Sequence, residues 1–478
     1  MVVLDVSIVN VALPRMSVDL HFTLHSIQWV VNAYVLTYAG FLLLGGRAAD
    51  LFGRRHVYLA GISVFVLASV LAGFAQSGGQ MVAARALQGI GGAILSPATL
   101  TIIVTTFQGP RLPKAIGAWS AVAGAGGAVG GLLGGILTGW VSWRWVFFIN
   151  LPLGLVALGG AVMYLRELRN QNATSKLDVT GAVLITGSLF AVVYGIVHSA
   201  DAGWTASSTL SYLIGGVAGL LLFGYWEQKI ASHPIMPFRI LANRAVALAN
   251  LTMLFTGASF FILWYFLTFY MQRNLGYGPV KTGFAFLPMA VGIIVGAQLS
   301  SRNMARLGSR PIAVFATGLA TIGYWGLAQL PATGSYALHV MLPGVIVAFA
   351  MGLLFSPLAQ AATWGVDRSE AGLASGLLNT ARQLGGSLGL SILGTIAYDR
   401  TQATLAQVGP LGAAAEGYRR GYLVVMFAMV LTIGVAAALG RRTPKRSPCT
   451  ANQRQMPVRG TLISAHLAPR ISVPRTGI

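Results

Sequence analysis

The chain has 478 residues, of which 55% are hydrophobic and only 9% charged. A soluble chain would carry roughly a quarter charged residues, so the composition excludes an ordinary soluble domain and points to a helical protein that crosses a membrane many times. The long unbroken apolar runs also exclude a β-barrel, whose strands alternate over about ten residues. The net charge of +21 lies mostly in short gaps between apolar runs and in the tail, which reads as the positive-inside rule rather than a nucleic-acid surface. The single Cys449 sits in the tail and supports no disulfide framework.

In chain order, the runs predict spans near 27–45, 57–75, 81–105, 115–138, 145–165, 178–198, 210–226, 245–270, 282–300, 311–330, 337–362, 371–397 and 421–440. A further apolar run, residues 1–14, rises only about 21 Å, whereas a span takes about 20 residues. The expectation is therefore fourteen spans, with Met1 lying inside the first. Spans 178–198 and 210–226 read as an inserted pair. The expected organisation is a six-helix bundle over 1–165, an inserted two-helix linker with its loops over 166–244, a second six-helix bundle over 245–440, and a basic disordered tail over 441–478.

Charge sets the expected orientation. With the gap at 45–57 in the cytoplasm and strict alternation, the inside gaps hold fifteen Lys and Arg against seven outside, and the tail from Arg441 adds eight. The expected location is the plasma (inner) membrane, with the C-terminus cytoplasmic. Two arginines, Arg85 and Arg382, fall inside spans, as does Asp5.

Two internal matches suggest two halves built on one plan. "GRAADLFGRR" (46–55) pairs with "SRNMARLGSR" (301–310) through Arg47 and Arg302, Gly53 and Gly308, and Arg55 and Arg310. Gly117, Gly126, Gly127, Gly130 and Gly135 fall on Gly376, Gly385, Gly386, Gly389 and Gly394. Repeats of this kind are a transporter signature, with substrate bound between the halves.

The stretch from Gly46 to Arg55 reads as a tight cytoplasmic turn, with Gly46 and Gly53 permitting close approach and Asp50 suited to meet a helix N-terminus. It resembles the signature loop of the major facilitator superfamily, G-x-x-x-D-x-x-G-R-R, as Gly46, Asp50, Gly53, Arg54 and Arg55. "LDVSIVNVALP" (4–14), "RALQGIGGA" (85–93), "GAVGGLLGG" (127–135) and "GLASGLLNTARQLGGSLG" (372–389) resemble motifs of its fourteen-span drug:proton antiporters, the EmrB/QacA type. The resemblance covers the chain from residue 1 to about 440. It implies the major facilitator fold, export of hydrophobic drugs or antibiotics in exchange for protons, and a conformational latch in which Asp50 meets the helix start around Glu370 to Gly372. One departure is Gly131, where the antiporter pattern has Pro; Gly allows a bend without imposing one.

Ionisable groups deep in a bilayer are costly and tend to be functional. Asp5 is the candidate proton carrier, and Arg85, which stays charged, the group that tunes it. Arg382 is open between snorkelling and bonding to backbone. Gly127, Gly130, Gly131, Gly134 and Gly135 stand at small-xxx-small spacings that let this helix pack against a helix of the other half. Candidate substrate contacts are Gln28, Asn32, Tyr34, Phe260, Trp264, Asn379 and Gln383, whose aromatic members suit organic cations. No G-x-G-x-x-G, Walker A or H-E-x-x-H occurs, so no cofactor or metal is implied and an ion gradient is the expected energy source. The expected partners are protons, a small hydrophobic or cationic substrate and the lipid bilayer; an envelope adaptor is not readable. A dedicated exporter of one self-made compound and a non-transporting sensor are the rival readings.

Overall fold

In lipid a backbone has to satisfy its own N–H and C=O groups, so apolar runs of this length become helices. The computed structural model describes residues 1–23, 26–107, 111–165, 177–232, 234–236, 238–367 and 370–439, and at some helical positions, Asp50 and Gly127 among them, the backbone alone. Residues 441–478, the loop residues Arg166, Arg169 and Lys176, and Arg368 lie outside that description.

The first part of the chain forms α1 (Val2–Asp19), α2 (Trp29–Phe52), α3 (Arg54–Phe74), α4 (Gly78–Thr106), α5 (Arg111–Trp140), α6 (Trp145–Phe148) and α7 (Asn150–Tyr164). The pair α8 (Val179–Ala202) and α9 (Ser207–Tyr225) follows. Then come α10 (Arg244–Phe269), α11 (Pro279–Ala285), α12 (Leu287–Leu307), α13 (Ser309–Leu327), α14 (Leu342–Ala362) and α15 (Ala371–Ala437). Among the described residues there is no strand, and nine helices are long and apolar enough to cross a membrane.

Three boundaries differ from expectation. Helix α1 runs past the apolar stretch to Asp19, with Pro14 inside it; its 18 residues rise about 27 Å. The turn expected at 45–57 shrinks to one residue: α2 continues to Phe52, Gly53 takes φ 92°, and α3 starts at Arg54. Gly308 does the same between α12 and α13 at φ 78°. Only glycine adopts this backbone without strain, which explains why these two residues hold matching places in the repeat. The gap expected at 398–420 is helical, because its Ala-rich sequence favours helix. It turns back at Gly409, φ 72°, and is pinned by Glu416, which pairs with Arg400 at 3.4 Å and Arg419 at 2.6 Å.

The repeat is visible in packing. A Cβ on Gly130 would lie 2.8 Å from Ser7 Cβ, and one on Gly134 2.5 Å from the Ile8 carbonyl oxygen, so α5 lies against α1. A Cβ on Gly135 would lie 2.5 Å from the Pro279 carbonyl oxygen, so the same helix also meets α11. The matching glycines of α15 repeat the pattern. Gly385 and Gly389 face Leu254 and Ala258 of α10, and Gly394 faces Gln28 at the entry to α2. Each glycine-lined helix thus touches the first helix of its own half and a helix of the other.

The inserted pair is more than a connection. Leu189, Val193 and Val197 of α8 cluster with Leu36 of α2, and Leu384 and Leu388 of α15 pack on the cluster. Thr395 Oγ1 donates to the Ile196 carbonyl at 3.3 Å. Helix α8 therefore fills the seam where α2 and α15 meet, and α9 packs outside it, where Gly216 faces Val192 and Ser188.

Candidate functional site

Asp5 lies on the first turn and a half of α1, fully buried. A lone carboxylate in such a place would cost several kcal/mol on the order of an unpaired buried ion. Here three side chains donate to it. Arg85 Nη1 of α4 bonds to Asp5 Oδ2 at 2.7 Å. Gln88 Nε2 and Asn150 Nδ2 bond to Oδ1 at 2.8 and 3.0 Å. Gln88 stands one turn after Arg85 on the same face of α4, and its Oε1 accepts from Arg85 Nη1. Gln88 Nε2 also reaches Ser69 Oγ of α3 at 2.7 Å, and Arg85 Nε donates to the Val30 carbonyl of α2 at 2.9 Å. The guanidinium lies over the Tyr34 ring, 4.3 Å from its centroid. One carboxylate therefore ties α1, α2, α3, α4 and α7 together, all through groups that water does not reach.

The bonding of this arrangement differs between the two forms a carboxyl group can take. As a carboxylate, Asp5 accepts three bonds and balances Arg85. Once protonated it becomes a donor on one oxygen, and Arg85 loses its counter-ion. Asn150 Oδ1, buried and without a partner, is the nearby group able to accept.

The loop motif takes a different form from that expected. Arg55 Nη2 donates to the Val162 carbonyl near the end of α7 at 3.0 Å, a cation against a helix C-terminus. Gly46 has room, with a Cβ there meeting only Pro97 at 3.7 Å, whereas Gly45 is tight against the Ala93 carbonyl oxygen at 2.5 Å. Arg54 opens α3. The Asp50 side chain lies outside the described residues, and Glu370 forms an ion pair with Arg239. On α5, Gly131 also has room, 3.8 Å from Phe286 Cβ, and the packing of Gly127 lies outside the described residues.

The predicted substrate contacts separate into groups. Asn32 is a clasp between halves: it donates to Ser391 Oγ at 2.9 Å and accepts from Ser387 Oγ at 3.1 Å. Gln28, with both amide atoms buried and unpartnered, borders a small cavity with Phe266, Phe269, Arg273 and Tyr418. Phe260 and Trp264 form an aromatic group with Phe286, the Trp264 and Phe286 centroids 4.7 Å apart. Asn379 meets Arg382, whose Nη2 donates to Asn379 Oδ1 at 2.8 Å, and Tyr34 stacks on Tyr38, whose Oη accepts from Asn379 Nδ2 at 3.4 Å. Gln383 is buried on α15. Among the described residues Arg382 bonds the Asn379 side-chain amide oxygen and no backbone carbonyl. Gln88, Asn150 and Ser69 were missed by sequence reasoning, although the spacing of Gln88 from Arg85 offered a signal.

Comparison with known proteins gives one consistent result. A family model described as Major Facilitator Superfamily matches residues 1–390. The cephamycin export protein of Amycolatopsis lactamdurans is 38% identical over 448 residues, covering 93% of this chain and 91% of that protein. The puromycin resistance protein of Streptomyces alboniger is 39% identical over 440 residues, covering 91% and 86%. Among solved structures, the human organic anion transporter TETRAN superposes with a TM-score of 0.61 at 14% identity, covering 91% of this chain and 96% of that one. A bacterial homologue of the human lysosomal transporter Spinster, inward-facing and unoccupied, gives 0.60 at 17% identity, covering 91% and 93%. At such identities these two likenesses show the fold alone.

Proposed function

The chain belongs to the major facilitator superfamily, and from that premise we propose that it is a fourteen-span drug:proton antiporter of the EmrB/QacA type, exporting hydrophobic drugs or antibiotics across the plasma membrane. Relatives named for antibiotic export and resistance support the export direction. With α6–α7 and α11–α12 each taken as one passage and the two arms of α15 as two, the described helices make fourteen passages. In this reading Gly53 and the C-terminus face the cytoplasm, as the Lys and Arg bias favours.

The observation that carries the proposal is the buried Asp5–Arg85 pair with its three donors to the carboxylate. A proton arriving from outside neutralises Asp5 and loosens the bonds that hold α1 against α4 and α7. Helix α1 is packed through Ser7 and Ile8 on Gly130 and Gly134, and α5 through Gly135 on Pro279 of the other half. A shift of α1 is thereby passed to the contact between halves, which favours outward release; loss of the proton to the cytoplasm resets the cycle. Gly46, Asp50, Gly53, Arg54 and Arg55 form the latch, with Asp50 at the start of α15 in one end state. Substrate lies between the halves, near Tyr34, Phe260, Trp264, Asn379 and Gln383.

A second reading, a dedicated exporter of one self-made compound, is favoured by the relative named for cephamycin export. The test is proton release from everted vesicles carrying a proton gradient and a quenched dye. Lipophilic cations, neutral drugs and anionic antibiotics are added singly, beside Asp5→Asn and Asp50→Asn. Dequenching by several compounds, abolished in Asp5→Asn and reduced in Asp50→Asn, is the expected result. A response to a single compound would favour the dedicated exporter. Full activity in Asp5→Asn would refute the proton role, and full activity in Asp50→Asn the latch.

A further inference from the structure

Among the described residues the second intramembrane arginine has no counter-ion. Arg382 lies about 16 Å along the axis from the start of α15, close to the middle of a bilayer about 30 Å thick. None of the ion pairs among the described residues includes it. Among the described residues its one hydrogen bond goes to a neutral amide, Asn379 Oδ1. Asn379 Nδ2 donates in turn to Tyr38 Oη at 3.4 Å, and Tyr38 Oη donates to Ser96 Oγ of α4 at 2.9 Å. Tyr34 stacks on Tyr38 with centroids 5.9 Å apart. The Tyr34 hydroxyl is fully buried and has no hydrogen-bond partner.

These groups are rich in donors, and none of them is an acid. A guanidinium carries five N–H donors in a fork that fits a carboxylate. Arg382 spends one on Asn379, and Tyr34 holds an unused O–H. The buried acid of the first half, Asp5, already balances Arg85. An arginine left uncompensated at this depth is expensive, and no acid among the described residues pairs with it, which makes a ligand the candidate source of an anion. We propose that Arg382, with Asn379 and the Tyr34 hydroxyl, docks the anionic group of an aromatic amphiphile whose ring lies against Tyr34 and Tyr38.

The exported class is then aromatic carboxylates and related organic anions, rather than the lipophilic cations suggested by the aromatic residues alone. The inference rests on the transport reading, since it places substrate between the halves. The two fail separately: proton release that depends on Asp5 but is indifferent to Arg382 would keep the transport reading and overturn this one.

The experiment uses the full chain in lipid nanodiscs and three fluorescent probes sharing one ring system. Dansylglycine is an anion, dansylamide neutral and dansylcadaverine a cation. The wild type is expected to bind dansylglycine most tightly. Arg382→Gln should weaken it about ten- to a hundredfold, as loss of a charge-assisted hydrogen bond does, while leaving dansylamide within about twofold and improving dansylcadaverine. Arg382→Lys should restore part of the anion preference, which a purely structural role would not produce. No anion preference in the wild type overturns the proposal, as does an equal loss of all three probes in Arg382→Gln with no recovery in Arg382→Lys.

Discussion

Two charged places lie inside this helical bundle, and they are built on opposite principles. Around Asp5 the charges cancel: Arg85 balances the carboxylate, and Gln88, Asn150 and Ser69 occupy the donors and acceptors that remain around it. Around Arg382 the charge stays open: among the described residues its side chain bonds one amide, which in turn reaches the Tyr38 phenol. A satisfied polar network in low dielectric holds helices in one arrangement, and in the reading proposed above a proton on Asp5 loosens it. An open cation waits for something from outside the chain. In the reading proposed above, the proton belongs to the first half and the cargo to the seam between the halves, although both halves follow one packing plan.

The largest test of that contrast breaks the closed network. Removing one member of a buried pair leaves an uncompensated ion and costs about 3–5 kcal/mol, whereas removing both is often close to neutral. Arg85→Gln should therefore unfold at clearly lower temperature than the wild type, and Asp5→Asn/Arg85→Gln should recover most of that loss. Neither protein should exchange protons for substrate. Thermal unfolding in detergent measures the first part and vesicle dequenching the second. Restored transport in the double variant would remove Asp5 from the proton path. If Arg85→Gln were as stable as the wild type, the pair would not be the closed unit described here.

The next test uses charge carried across the membrane. Export of a monoanion against one proton moves two positive charges inward per cycle, each worth about 2.3 kcal/mol per 100 mV. A potassium diffusion potential of that size should raise the equilibrium accumulation of dansylglycine by about a thousandfold at full coupling. A monocation exchanged for one proton moves no net charge and should not respond. Indifference of dansylglycine to the potential would contradict the open-cation assignment.

Much of the closed site was legible in the sequence and little of the open one. Asp5 and Arg85 stand out because charge is rare in the spans, and their motifs point to one chemistry. Gln88, Asn150 and Ser69 do not stand out, because neutral polar residues occur throughout the spans and only the fold decides which of them face a carboxylate. Arg382 was visible as a charge, but its lack of a counter-ion is a property of its surroundings. The glycines divide in the same way. Gly53 and Gly308 share a place in the repeat and a positive φ, whereas the tight position beside Gly46 is Gly45, set by the Ala93 carbonyl on another helix. The helical arms around Gly409 were hidden because hydropathy marks where lipid ends and not where a helix ends.

Tyr34 is the residue where the two places touch, and it gives the finest test. Its ring lies under the Arg85 guanidinium at 4.3 Å and stacks on Tyr38, the phenol that Asn379 reaches from the Arg382 side. Tyr34→Phe keeps the ring and both of its contacts and removes only the hydroxyl. That hydroxyl is buried without a partner, a condition that costs about 1–3 kcal/mol, so its loss should leave the ligand-free protein at least as stable as before. If the hydroxyl donates to a bound anion, dansylglycine affinity should fall about three- to tenfold, the size of one hydrogen bond. Proton release driven by a neutral substrate should persist, because Arg85 keeps its aromatic neighbour. Unchanged dansylglycine affinity would remove the hydroxyl from the anion site. A joint fall of thermal stability and affinity would mean instead that Tyr34 serves the packing of α2, and that the two charged places are coupled through the helix rather than through this side chain.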